Sequence, residues 1–162
     1  MKKQNLKKKK QQIVNRVSKM MDFCRDVVSV IQKENGFSDY RIRVIYRENE
    51  GQHDEHVIAR INVDNEYIRA TITILPAFTE IYREEKYSEL IEALCHEVFH
   101  IKMNTIDEMA NNRWGSSAEA VRSEIERLTE LYGRMIYKVM SMEKKFDKFK
   151  NPNGITRNKK TK

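Results

Sequence analysis

The chain has 162 residues, 40% of them hydrophobic and 34% charged, with a net charge of +7. That length accommodates a single domain with a modest core. No apolar stretch approaches the roughly 18 residues of a membrane helix, and no apolar run follows the basic start, so neither a membrane span nor a signal peptide is expected.

The charge is unevenly placed. Residues 1–10 carry six lysines and no acid, while residues 144–162 carry seven lysines, Arg157 and one acid, Asp147. The two ends sum to +6 and +7, which leaves about −6 for residues 11–143. The expected organisation is a single domain over 11–148 between basic disordered tails, 1–10 and 149–162. Such tails offer weak contact to nucleic acid or another polyanion. No aromatic residue interleaves with their lysines, so base stacking is not expected.

In chain order, Ile13, Val17, Met20, Cys24, Val27, Val28 and Ile31 recur at three- and four-residue intervals, the pattern of a helix with one buried face. Asn35-Gly36 is a suitable stop. Three segments then alternate apolar and polar residues: Ile42, Val44 and Tyr46; Val57, Ala59, Ile61 and Val63; Ile68, Ala70, Ile72 and Ile74. They predict three strands with one packed and one wet face. The short polar link Asp64-Asn65-Glu66 predicts an antiparallel hairpin, and Pro76 ends the third strand. A helix follows from about Tyr82 or Lys86 to Met103, then a loop or broken helix from Asn104 to Ser117. A last long helix is expected from Ser117 to about Lys148, with the stripe Val121, Ile125, Leu128, Leu131, Tyr132, Met135, Ile136 and Val139 buried. Gly133 lies inside it at some cost in propensity. The fold class is α+β: one N-terminal helix, a three-stranded mainly antiparallel sheet, a second helix and a long C-terminal helix.

The second helix carries His96-Glu97-Val98-Phe99-His100. Histidines four apart lie on the same side of a helix, close enough to hold one ion. Glu97 is then placed to accept a proton from a metal-bound water. On a helical wheel Leu90, Ile91, Leu94, Cys95, Val98 and Ile101 form the core stripe, and the histidines face away from it. Two histidines are too few for a catalytic zinc, which takes three protein ligands. No third histidine follows, so the last helix should supply a carboxylate, from among Glu119, Glu124, Glu126 and Glu130. Glu124 borders the apolar stripe, three after Val121 and four before Leu128, and is the candidate ligand. A salt bridge to Arg127 or Arg122 is the alternative role for it.

The five-residue motif, followed by a glutamate on the next long helix, resembles the gluzincin branch of zinc metallopeptidases. The order of elements over about residues 13–142 is similar to the minimal zincin core of small bacterial and bacteriophage proteins. The resemblance implies one Zn²⁺ per chain held by His96, His100 and Glu124, with Glu97 as general base in hydrolysis of a peptide or protein substrate. It also implies an extended peptide lying along an exposed sheet edge. Such an enzyme needs an oxyanion stabiliser, for which Tyr132 is the candidate, although a tyrosine on this stripe is more often a core residue.

Other residues have simpler roles. His53 and His56 flank Asp54-Glu55 in what reads as an exposed polar loop. Trp114 either walls the cleft or anchors its loop. Cys24 and Cys95 read as buried free thiols, which fits a reducing, cytoplasmic compartment. Two other functions compete with the peptidase: a non-catalytic zincin-like protein attached to a polyanion through its tails, and a purely structural zinc.

Overall fold

The computed structural model describes residues 2–48, 57–114 and 118–151. They form α1 (Lys2–Glu34), β1 (Arg41–Tyr46), β2 (Ala59–Asp64), β3 (Arg69–Ile74), α2 (Pro76–Arg83), α3 (Tyr87–Trp114), α4 (Ala118–Met142) and α5 (Asp147–Lys150). The α+β class expected from the sequence is the one observed. Among the described residues, no helix is long and apolar enough to cross a membrane.

Helix α1 begins at Lys2, so the lysine-rich run expected to be a disordered tail forms its first turns. Lysine and glutamine are good helix formers, and neither glycine nor proline interrupts them. The buried face begins at Met20 and continues through Cys24, Val27, Val28 and Ile31, whereas Ile13 is 62% exposed. The helix stops where expected, with Gly36 at a φ of +71° and both nitrogens of Asn35 donating to the carbonyl of Ile31.

The sheet has the order β1-β3-β2. Strands β2 and β3 form the expected antiparallel hairpin, with Ala59 opposite Ile74 and Asp64 opposite Arg69. Strand β1 runs parallel to β3, Arg41 opposite Arg69. The sheet is therefore mixed rather than mainly antiparallel. A short turn forces antiparallel pairing on β2 and β3 alone, and β1 is free to pair with the far side of β3. Val44, Ala59, Ala70, Ile72 and Ile74 are buried, while Arg41, Arg43, Arg60, Asn62 and Arg69 are exposed. Helices α1 and α3 pack against the sheet, and the expected stripe of α3, Leu90 to Ile101, is fully buried with them.

Three boundaries differ from expectation. Pro76 both ends β3 and opens the separate helix α2, where a missing N–H costs nothing. Helix α3 continues through Asn104 to Trp114, because residues 104–110 contain neither glycine nor proline to stop it. Phe146 and Phe149 are buried, and Phe149 meets Phe23 edge-on at 6.0 Å, so the core reaches past Lys148. His53 and His56, and the C-terminal run from 152, lie outside the described residues, as does the side chain of Trp114.

Helix α4 packs on α3 with an unexpected face. Leu131, Tyr132, Met135 and Val139, expected in the core, are 53%, 37%, 54% and 48% exposed. Among its described residues, the buried positions are Thr129, Gly133 and Met140. Gly133 explains the choice. A Cβ there would lie 2.9 Å from the Cα of His96, so the two backbones touch at this crossing and only glycine fits.

Candidate metal centre

The α3–α4 crossing brings the site together. His96 and His100 lie one turn apart on α3, with their Nε2 atoms 3.2 Å from each other. From α4, Glu126 straddles the pair, its Oε1 3.1 Å from Nε2 of His96 and its Oε2 3.5 Å from Nε2 of His100. Among the described residues, His96, His100 and Glu126 are the histidine, cysteine or acidic side chains that gather as a metal-holding group, with their donor atoms within 4.8 Å. Ligands about 2.0–2.1 Å from a tetrahedral zinc stand roughly 3.3 Å apart, so these separations match the edges of such a shell. Two imidazole nitrogens and one carboxylate oxygen are also the donor types that zinc takes in catalytic sites. The residues present fit the ion.

The outer atoms of both imidazoles meet α4 as well. Nδ1 of His96 is buried 3.2 Å from Oε2 of Glu130 but makes no hydrogen bond. Nδ1 of His100 lies 3.4 Å from the hydroxyl of Thr129. Burial, and then the neighbouring His96, lower the pKa of His100, against the opposing pull of Glu126. The shift favours the neutral imidazole, the form that ligates.

Glu97 is almost completely buried. Burial, and then the charge of Glu126, push its pKa up to about 7, against a backbone hydrogen bond with Ile61 of β2. A carboxylate poised near neutrality is suited to take up and return a proton. The cleft in front of it is about 680 Å³, walled by Val57–Val63 on the β2 side, by α3 from Glu89 to Asn104, and by Ile125, Glu126, Glu130 and Arg134 of α4. No family model, curated protein or solved structure matches the chain.

His96, Glu97 and His100 thus lie where the motif predicts, and two expected partners do not join them. Glu124 is exposed and grips Arg127 with both oxygens, at 2.6 and 2.8 Å. That hydrogen bond holds its carboxyl below the usual range. This is the alternative role foreseen for it, and Glu126 takes its place beside the histidines. Tyr132 is not among the residues lining the cleft, and its ring stacks on Phe99 at 5.0 Å. Six residues beyond Glu126, it projects from a different face of α4. Among the described residues, the cations that do line the cleft are Arg60 and Arg134, the latter 3.6 Å from Glu92 and paired with Glu130.

Glu126 and Glu130 were among the four carboxylates that α4 offered, but Glu124 stood ahead of them, and nothing singled out Thr129, because the most apolar face of α4 is not the buried one. The available signal was Gly133. A glycine inside a strong helix marks a close crossing, and Glu126, one heptad earlier, shares its face.

Proposed function

We propose that the chain is a zinc metallopeptidase of the gluzincin kind, with His96, His100 and Glu126 as ligands and Glu97 as general base. The observation that carries this reading is the convergence of two imidazole nitrogens and a carboxylate from separate helices, beside a buried glutamate and an open cleft. A zinc ion held by these residues would supply Lewis acidity, lowering the pKa of water towards neutrality and polarising a carbonyl. Glu97, buried at the wall of the cleft, is placed to accept the proton of the attacking water and return it to the leaving amine. Ile61, through its backbone hydrogen bond to Glu97, ties the base to the edge strand. That strand, β2, pairs only with β3 among the described strands and walls the cleft, so an extended peptide can add alongside it. Arg134 lines the same cleft and takes over from Tyr132 as the candidate to stabilise an oxyanion.

The test combines metal analysis with cleavage of an unfolded protein substrate. Wild type is expected to hold about one zinc per chain. Glu97→Gln should keep the zinc and lose cleavage by about 10²–10⁴-fold. Glu126→Ala should lose the zinc, whereas Glu124→Ala should keep it. Normal cleavage by Glu97→Gln, or zinc retained at wild-type affinity in Glu126→Ala, would refute the assignment.

A further inference from the structure

We propose that Thr129 is a positioning residue that fixes the tautomer of His100 and so aims the lone pair of its Nε2 into the site. The inference deepens the metal-site reading and rests on it for its functional meaning. Its structural basis is separate.

Thr129 is a polar residue with no exposed surface, on the face of α4 that meets α3. Its hydroxyl touches two groups. It donates to the carbonyl oxygen of Ile125 at 2.8 Å, and it lies 3.4 Å from Nδ1 of His100. A carbonyl can only accept, and a hydroxyl carries a single hydrogen. That hydrogen is committed to Ile125, so Thr129 has only lone pairs to offer His100. The hydrogen between them must therefore reside on Nδ1. A neutral imidazole carries one N–H, which leaves Nε2 as the bare acceptor. This nitrogen is the one 3.2 Å from Nε2 of His96 and 3.5 Å from Glu126.

The chemistry requires a residue of this kind. With the hydrogen on Nε2, His100 would direct an N–H at the metal position and could not ligate. Thr129 removes that alternative before any ion arrives. Because the hydroxyl bonds the carbonyl four residues back, its buried donor is satisfied within the helix itself. Valine has the same shape and lacks the oxygen. Serine keeps the oxygen and lacks only the methyl group.

The experiment records imidazole ¹H–¹⁵N long-range spectra of the chelator-treated full chain, together with zinc affinity by competition against a chromophoric chelator. His100 is expected as the Nδ1–H tautomer in wild type and in Thr129→Ser. Thr129→Val should lose this bias and bind zinc about 10–100-fold more weakly, the usual cost of removing a partner from a ligating histidine, while Thr129→Ser stays close to wild type. A wild-type spectrum with His100 mainly as Nε2–H would overturn the proposal, and it needs no variant to fold. So would a Thr129→Val protein that matches wild type in zinc affinity. An Nδ1–H tautomer in a wild type that binds no zinc would support the role of Thr129 while sinking the metal reading.

Discussion

At the scale of single residues, Glu97 sits in the environment most unlike water of any acid near the site. Its nine-tenths burial and the adjacent Glu126 carboxylate both oppose ionisation, and they raise its pKa from the ordinary 4.5 to about 7. The sign of the resulting stability effect follows from linkage. Below about pH 4.5 the group is protonated in both the folded and unfolded chain, and the shift contributes nothing. As pH rises towards 7 the unfolded chain releases this proton first, so the folded state is progressively penalised, and above 7 the penalty is complete. For metal-free protein the full span is on the order of 3 kcal/mol. Glu97→Gln keeps the shape and removes the ionisation. Its advantage over wild type in urea unfolding with chelator present should therefore be small at pH 4.5 and grow to about that size by pH 8. Groups that do not interact with Glu97 titrate equally in both proteins and cancel. An advantage independent of pH would mean that Glu97 ionises as easily folded as unfolded.

Among the elements, α4 separates what the sequence made legible from what it hid. The helix itself, the three strands, the hairpin and the motif all followed from periodicity and turn chemistry, because the faces of β2, β3 and α3 are buried by apolar contact. The rotation of α4 did not. Its contact with α3 has to admit a polar site and a backbone crossing, so Thr129 and Gly133 stand where leucines would in an ordinary packed helix. Two substitutions test this rotation from opposite sides. In an exposed helix Gly133→Ala would gain up to about 1 kcal/mol. Here the new methyl group meets the backbone of His96 at 2.9 Å, which cannot swing aside. The expected result is a loss of about 1–3 kcal/mol, together with weaker zinc binding as Glu126 is pushed from the histidines. Met135→Lys probes the other face. A buried methionine would cost about 2–5 kcal/mol on truncation alone, but Met135 is 54% exposed. The change should stay within about 0.5 kcal/mol in denaturant unfolding. A large loss there, with Gly133→Ala stabilising, would restore the rotation that the apolar stripe suggested.

Across the whole molecule, the candidate ligands join two parts of unequal cohesion. Helices α1 and α3 and the sheet share the main apolar core, with residues such as Val27, Ile31, Ile72, Ile74, Leu90 and Leu94 completely buried. Helix α4 lies outside that layer on α3, and its described residues bury few large apolar side chains, Met140 being the clearest. Its far end is tied down, since Met140 joins the core and Lys145 beyond it pairs with Glu34 of α1 at 2.9 Å. The end bearing Glu126 has the His96 and His100 contacts in their place. An ion shared by His96, His100 and Glu126 would clamp this end to the core. Without the ion, only the direct contacts among the two imidazoles and the carboxylate, at 3.1–3.5 Å, would hold this end. Local opening is governed by such differences in contact, so metal removal should act mainly on one stretch of chain. In hydrogen exchange, chelation is expected to accelerate exchange of backbone amides between about Glu124 and Gly133, leaving α1, the sheet and the amides around Met140 close to their zinc-loaded rates. Zinc in hundredfold excess over its dissociation constant should restore about 2.7 kcal/mol of protection. Glu126→Ala should exchange like the chelated protein whether or not zinc is added. If chelation instead accelerated exchange evenly through the core, the ion would be holding the whole fold rather than one helix end. If it changed nothing, no ion would be bridging α3 and α4.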